Sequence, residues 1–232
     1  MLTPVRRRGF EILDDPGVDP AVRLRSMGDV ARSNWWFGGL RAASAELRDA
    51  LRRLPGDQPV TLLDVGTGLA DIPHAAARAA RRLGVQLTTI GLDGAASVLA
   101  DARHRTSHVV CGSAFALPFA DASVDVVLCS QLLHHFAEDD ATRVLRELDR
   151  VARREVIVSD LRRSWIAVTG FWCASFPLRF HRVTRHDGVL SVLRGFTTDE
   201  LRDLVRDAVA TAPIVTRRVG FRITARWRPA AA

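Results

Sequence analysis

The apolar positions of this chain follow two rhythms. Short unbroken runs of valine, leucine and isoleucine recur near residues 60–65, 87–92, 107–111, 124–129 and 155–160. Runs of that length and composition predict strands buried on both faces. Between them apolar residues return every three or four positions, which predicts helices over 70–83, 95–104 and 138–153. The last of these opens on Glu138-Asp139-Asp140, acids that a helix N-terminus favours. Strand–helix alternation predicts an α/β domain with a mostly parallel sheet. Two helices, 21–33 and 40–53, precede it, the second ending near Pro55-Gly56. A helix over 198–209 and strands near 213–218 and 221–227 close it. No internal repeat or low-complexity segment interrupts the pattern.

The first strand-to-helix junction carries the most chemistry. Thr61-Leu62-Leu63-Asp64-Val65 runs into Gly66-Thr67-Gly68, and Asp71 stands where the helix opens. A Gly-x-Gly turn alone says only that the backbone takes positive φ. Asp71 narrows the ligand. A dinucleotide site has Gly or Ala there, so that pyrophosphate can approach the helix N-terminus. A carboxylate repels that group and suits a ligand with positive charge and no phosphate. S-adenosylmethionine, with an ammonium and a sulfonium, meets the requirement. The second strand ends in Asp93, where an acid can accept both hydroxyls of an adenosine ribose. That role does not separate this donor from NAD, and a simple helix N-cap is the plainer alternative.

Composition narrows the classes. A chain of 232 residues suits one α/β domain. The basic Met1–Arg8 segment is not followed by an apolar stretch, so no signal peptide is expected. Three cysteines lack metal-ligand spacing, and Cys111 and Cys129 fall on expected strands as small core residues. No metal site is expected, and a reducing, cytoplasmic setting follows. Net charge is +7, and all 33 basic residues are arginine, a bias that points to a GC-rich genome. The arginines are spread over helix faces without interleaved aromatics, which disfavours nucleic acid as a partner.

Four motifs carry a family resemblance: DVGTG at Asp64–Gly68, GLD at Gly91–Asp93, ALPF at Ala116–Phe119 and LLHHF at Leu132–Phe136. In order and spacing, across roughly 60–160, they resemble the class I, seven-stranded S-adenosylmethionine-dependent methyltransferases, in particular the small-molecule and quinone-type branch. The resemblance implies a three-layer Rossmann-like sheet, mostly parallel, with a terminal hairpin. It implies donor contacts from Asp64, Gly66, Thr67, Gly68, Asp71, Asp93, Gly94, Ser113, Ala114, Phe115, Ser130 and Gln131. The chain departs from the family in having Ala70 for a third glycine, and Ser113 where an aspartate commonly meets the adenine. The stretches Val158–Trp165 and Arg185–Thr197 resemble a bacterial subgroup associated with type III polyketide pathways, which implies a phenolic, quinone or polyketide acceptor.

The acceptor side is expected outside the donor core of 60–160. Asn34-Trp35-Trp36-Phe37-Gly38-Gly39, in the N-terminal part (1–55), reads either as a mobile lid or as a hydrophobic clamp on the core. An insertion at 162–196 is expected to cap the carboxyl edge of the sheet, before the closing part at 197–228. It contains Ser164–Leu178, fifteen residues without a charge, with Trp165 and Trp172. That stretch is too short to span a bilayer, which takes ~20 apolar residues; interfacial membrane contact is a lesser reading. Trp35, Trp36, Phe37, Trp165, Trp172 and His186 are the candidate acceptor contacts, and His186-Asp187-Gly188 reads as a turn.

An oxygen acceptor gains from a general base. His134 and His135 follow the fourth strand. On a helix His134 faces away from Leu132, Leu133 and Phe136, toward the cleft. Asp160, ending the fifth strand, is placed to orient that imidazole, as a carboxylate does in other His-based sites; the alternatives are that the histidines only line the pocket or hold the loop and that Asp160 caps the next helix. The leading reading is O-methylation of a small aromatic, quinone or polyketide molecule. Quinone-type C-methylation and a catalytically inactive donor-binding partner stand beside it. A homodimer is compatible with the sequence.

Overall fold

The computed structural model describes residues 3–15, 17–54 and 58–229. A 3-10 turn at Ile12–Asp14 leads to α1 (Pro20–Trp36) and α2 (Gly39–Arg53). Asp19 caps α1 by accepting the Ala21 and Val22 amides, with Pro20 at the first helical position. Pro55-Gly56, expected to end α2, lies outside the described residues.

Then follow β1 (Val60–Val65), α3 (Asp71–Leu83), β2 (Leu87–Asp93), α4 (Ala96–Ala102), β3 (His108–Cys111), β4 (Val124–Ser130) and α5 (Glu138–Val151). The chain continues with β5 (Ala152–Leu161), α6 (Trp165–Ser175), α7 (Arg182–Arg194), α8 (Thr198–Val209), β6 (Ile214–Arg218) and β7 (Arg222–Trp227). A capping box of Thr197 and Glu200 starts α8.

The seven strands form one sheet in the order β3-β2-β1-β4-β5-β7-β6. The first five are parallel to their neighbours, and β7 runs antiparallel to both β5 and β6. This is the expected three-layer Rossmann-like sheet with its terminal hairpin. Alternate residues of the central strands feed the two layers. Leu63, Val127 and Val158 pack toward α5 and α8 with Leu145, Leu148 and Leu201. Leu62, Val126, Leu128 and Ile157 pack toward α2 and α3 with Leu47 and Ala76. Burial on both sides explains why these strands read as continuous apolar runs.

Three expectations are corrected. Cys111 is exposed, because it ends the short edge strand β3; Cys129 on central β4 is buried as expected. His186-Asp187-Gly188 is not a turn but the middle of α7. Gly188 serves close packing there, since a Cβ would meet the Phe171 ring at 2.2 Å. His134 and His135 lie on a single 3-10 turn, Leu133–His135, not on an α-helix. No helix among the described residues is long and apolar enough to cross a membrane.

Candidate active site

The carboxyl ends of β1, β2, β4 and β5 open into a cavity of about 660 Å³, roofed by α1, α6, α7 and the N-terminal segment. One half of it is built at the β1–α3 junction. Gly66 and Gly68 take positive φ, 73° and 53°, and Ala70 joins them at 55°, so the backbone turns tightly onto Asp71 at the start of α3. Ala70 in place of glycine is therefore accommodated in the left-handed region.

Three carboxylates face this half of the cavity. Asp64 is buried, and its Oδ2 accepts the Thr67 hydroxyl at 2.8 Å, while Oδ1 has no partner among the described residues. Burial pushes the Asp64 carboxyl up to about 8; Thr67 opposes this, and the charges of Asp71 and Asp93 reinforce it. Burial likewise raises Asp71, against its own helix N-terminal amides, Arg105 and Asn34. Asp93 accepts the Gly68 amide at Oδ2 and the Ala95 amide at Oδ1, both at 3.0 Å, fixing its carboxylate beside the turn. A buried acid with one oxygen unpartnered, next to two further acids, suits a cationic ligand. The Ser130 hydroxyl, at the end of β4, is also buried and unpartnered. Gln131 follows at φ 54°, its side chain held between Asn34 and Arg222.

Residues 63–159 match a family described as "Methyltransferase domain". A demethylmenaquinone methyltransferase of Thermotoga maritima is 34% identical over 99 residues, a stretch that covers 42% of this chain and 41% of that protein. Residues 63–159 are thus similar to methyltransferase domains, and the chain spans about two fifths of the length of the Thermotoga relative. Solved structures agree in fold. Magnesium protoporphyrin IX methyltransferase from Synechocystis PCC 6803, with bound S-adenosylmethionine, aligns with a TM-score of 0.56 at 14% identity, over 95% of this chain and 89% of that one. The citrinin polyketide synthase CMeT domain aligns with a TM-score of 0.61 at 15% identity, over 83% of this chain and 52% of that one.

The domain's residues fit S-adenosylmethionine. Unpaired Asp64 and half-buried Asp71 match its positive charges, and Asp93 stands at the position for a ribose. The chain thus shares the fold of these methyltransferases, and the residues at the β1–α3 junction suit S-adenosylmethionine. Asp64, Gly66, Thr67, Gly68, Asp71, Asp93, Ser130 and Gln131 all line the cavity. Gly94, Ser113, Ala114 and Phe115 are not among its lining residues. The loop after β3 hangs from Asp93 through the Gly112 amide at 3.1 Å, and the Ser113 hydroxyl accepts the Phe115 amide. Phe115 instead backs Phe136, ring centroids 5.0 Å apart. Ala95 and Val98 supply apolar wall that the motifs did not flag.

The other half of the cavity is reached through the two histidines. His134 is buried, and its Nδ1 lies 2.6 Å from Oδ1 of Asp160, itself fully buried. Burial would raise the Asp160 carboxyl. The His134 imidazole and the Leu161 amide, which donates to Oδ1 at 2.7 Å, hold it below the usual carboxylate range. A carboxylate at Nδ1 fixes the proton on that nitrogen and leaves the Nε2 lone pair free. That Nε2 is buried in the cavity wall and has no partner among the described residues.

His135 stacks on His134, centroids 4.3 Å apart, yet binds elsewhere. Its Nδ1 meets Asp14 at 3.1 Å, with Glu11 at 3.8 Å. Burial lowers its affinity for a proton, but Asp14 and Glu11 outweigh this and raise it. Glu11, His134 and His135 offer ligand atoms within 4.8 Å of one another. Arg194 already occupies that corner, 3.0 Å from Glu11 and 3.5 Å from His135.

Sequence reasoning missed Arg222. It sits at the start of β7, paired with Leu161, buried, and lining the cavity. Its Nε donates to the Phe37 carbonyl at 3.1 Å, and Nη1 to Gln131. Desolvation lowers it to about 10, against the charge of Asp160. Of the candidate acceptor contacts, Trp36 and Phe37 line the cavity, whereas Trp35, Trp165, Trp172 and His186 do not. His186 bonds Asp187 at 2.8 Å with its side chain 55% exposed.

Proposed function

We propose that this chain transfers the methyl group of S-adenosylmethionine to an oxygen of a small aromatic, quinone or polyketide-type acceptor, with His134 as general base. The observation that supports this reading is the buried His134–Asp160 pair, in which His134, its Nε2 unpartnered among the described residues, lines the same cavity as Asp64, Asp71 and Asp93. Bound donor supplies a methyl carbon activated by the sulfonium, so the protein's task is alignment, desolvation and proton removal. Asp64, Asp71 and Asp93 hold the cationic and ribose ends. Arg222 supplies positive charge for an anionic group of donor or acceptor. Asp160 keeps the Nδ1 proton in place and stabilises the imidazolium that forms when Nε2 takes the acceptor's proton. His135, tied to Asp14, Glu11 and Arg194, serves the closure of the N-terminal segment and not proton transfer.

An aromatic acceptor is supported by the apolar walls from α1 and α6, among them Phe37, Ile166 and Phe171. The polyketide subgroup rests on the sequence resemblance alone. C-methylation of a quinone type is the second reading, favoured by the name of the Thermotoga relative over the matched 99 residues. The deciding experiment incubates the protein with 13C-methyl donor and a panel of phenols and hydroxyquinones, and reads the product by NMR. An O-methyl carbon supports the first reading, a C-methyl carbon the second. No turnover across the panel, with donor binding intact, supports the inactive binding partner.

A further inference from the structure

The cap and the end of α1 carry an exposed apolar surface, of which Ile166 and Trp36 also reach the cavity. On α6, Trp165, Ile166, Trp172 and, just beyond its end, Phe176 are 41–52% exposed. At helical spacing, residues 165, 166, 169, 172, 173 and 176 share one outward stripe. The opposite side of α6 closes the cavity through Ala167, Gly170 and Phe171. At the end of α1, Trp35 and Trp36 are 61% and 58% exposed. They belong to the same region, because the Phe37 ring lies 5.6 Å from Phe171 and Arg32 donates to the Leu178 carbonyl. Four of the five tryptophans of the chain thus stand in the open around one cavity mouth.

Charge decides what covers this face. Between Asp160 and Asp187 the chain has no acidic residue and five arginines. Arg162 and Arg163 are taken up inside the fold, over the Phe221 ring and on Glu200. Arg179 and Arg182 are exposed beside the aromatic stripe, and Arg185 lies 4.6 Å over the Phe176 ring. Indole rings flanked by arginine, on a helix too short to cross a bilayer, match the headgroup level of an anionic membrane. A protein partner of ordinary surface would have to supply a matching acidic, apolar patch; an anionic lipid surface supplies both properties by itself.

We infer that the outer face of α6, with the end of α1, docks on an anionic lipid surface and turns the cavity mouth toward the bilayer. Docking itself stands apart from the catalytic reading; that a lipid-soluble acceptor enters from the bilayer rests on it. The test is co-sedimentation of the whole protein with vesicles of phosphatidylcholine alone or mixed with phosphatidylglycerol, together with tryptophan emission. S-adenosylhomocysteine affinity is measured on the same samples as a check on the fold.

The expected result is binding to the mixed vesicles about tenfold or more above the neutral ones, weakened by salt, with a blue-shifted emission. Trp172→Ser with Phe176→Ser, and separately Arg179→Glu with Arg182→Glu, lose this binding and keep donor affinity. Failure of the native protein to bind the mixed vesicles overturns the inference, as does binding that both pairs of substitutions leave intact. A stable dimer that Trp172→Ser with Phe176→Ser converts to monomer would overturn it in favour of a second copy. Loss of donor affinity in the native protein would instead strike the methyltransferase reading and leave docking standing.

Discussion

The Nδ1 of His134 and Oδ1 of Asp160 lie 2.6 Å apart, and the second oxygen of the same carboxylate accepts the His134 backbone N–H at 3.3 Å. Ring and backbone are thus aimed by one buried acid at the end of β5. Asp160→Asn removes the charge and the tautomer control with little change of shape. We expect kcat to fall about 10²- to 10⁴-fold, the usual worth of a positioned base, with S-adenosylhomocysteine affinity unchanged. His134→Gln should do the same, and the double variant should be little worse than either single one, because the two act as a unit. Full activity in His134→Gln would end the proposal of a base there.

Asp64 gives a pH signature on the donor side. Its carboxyl is pushed up to about 8, so below that pH the free protein holds a proton that a cationic ligand must expel. Donor affinity should therefore rise with pH and level off above about 8. Calorimetry in buffers of different ionisation enthalpy should show proton release on binding, lost in Asp64→Asn. The sign for stability is opposite to that of an ion-paired acid. The unfolded chain ionises this group near its ordinary value, so ligand-free stability should fall as pH rises from there through about 8. The donor should restore most of it at the upper end. A flat affinity profile from acid pH to above 8 would remove the argument.

The N-terminal closure should respond to pH in a different way. His135 is raised by Asp14 and Glu11, and Asp14 is lowered chiefly by His135 and Arg194 against its own burial. The pair contributes stability only while His135 is protonated and Asp14 ionised. It weakens as pH rises through the raised His135 value, and again as pH falls through the lowered Asp14 value. Tryptic cleavage at Arg6–Arg8, normalised to an unstructured peptide, should accelerate above the imidazole range. In Asp14→Asn cleavage should be fast throughout.

Gly91 on β2 tests how the donor turn is held. A Cβ there would meet the Thr67 side chain at 2.8 Å. Gly91→Ala must displace the hydroxyl that donates to Asp64. We expect a cost of about 1–3 kcal/mol, as for overpacking, and weaker donor binding, while the remaining sheet stays folded. Unchanged donor affinity would show that the Thr67–Asp64 bond plays no part in the site.

The β1–α3 junction was legible because its logic is local. Strands buried on both faces leave unbroken apolar runs, and an acid at or next to the end of each stands by the cleft: Asp64 and Asp93 line it, and Asp160 lies behind His134. The acceptor half is assembled from afar and left weaker signals. Arg222 is one arginine among many on an alternating strand, and only its pairing with Leu161 sets it beside the cavity. Glu11 and Asp14 lie in a segment without periodicity. Both faces of α7 are packed, so polar and apolar residues ring it without a stripe, and His186-Asp187-Gly188 read as a turn. Trp165 and Trp172 were legible as a group but not in direction, since an all-apolar helix has no polar side to mark its outside.

The two ends of the fold's acceptor side share one set of bonds. Asp187 takes the amides of Ile12 and Leu13, Arg163 holds the Pro4 carbonyl, and Arg194 reaches Glu11. Residues some 180 positions apart are thus bonded into one corner of the fold. A ribosome releases the first of them long before the second, so the pocket closes only when synthesis is nearly finished, whereas the donor sheet can assemble earlier. Any redesign or natural drift of acceptor preference has to alter the leading segment and the cap together, and grafting the cap alone onto another such sheet would leave Asp187 and Arg194 without their counterparts.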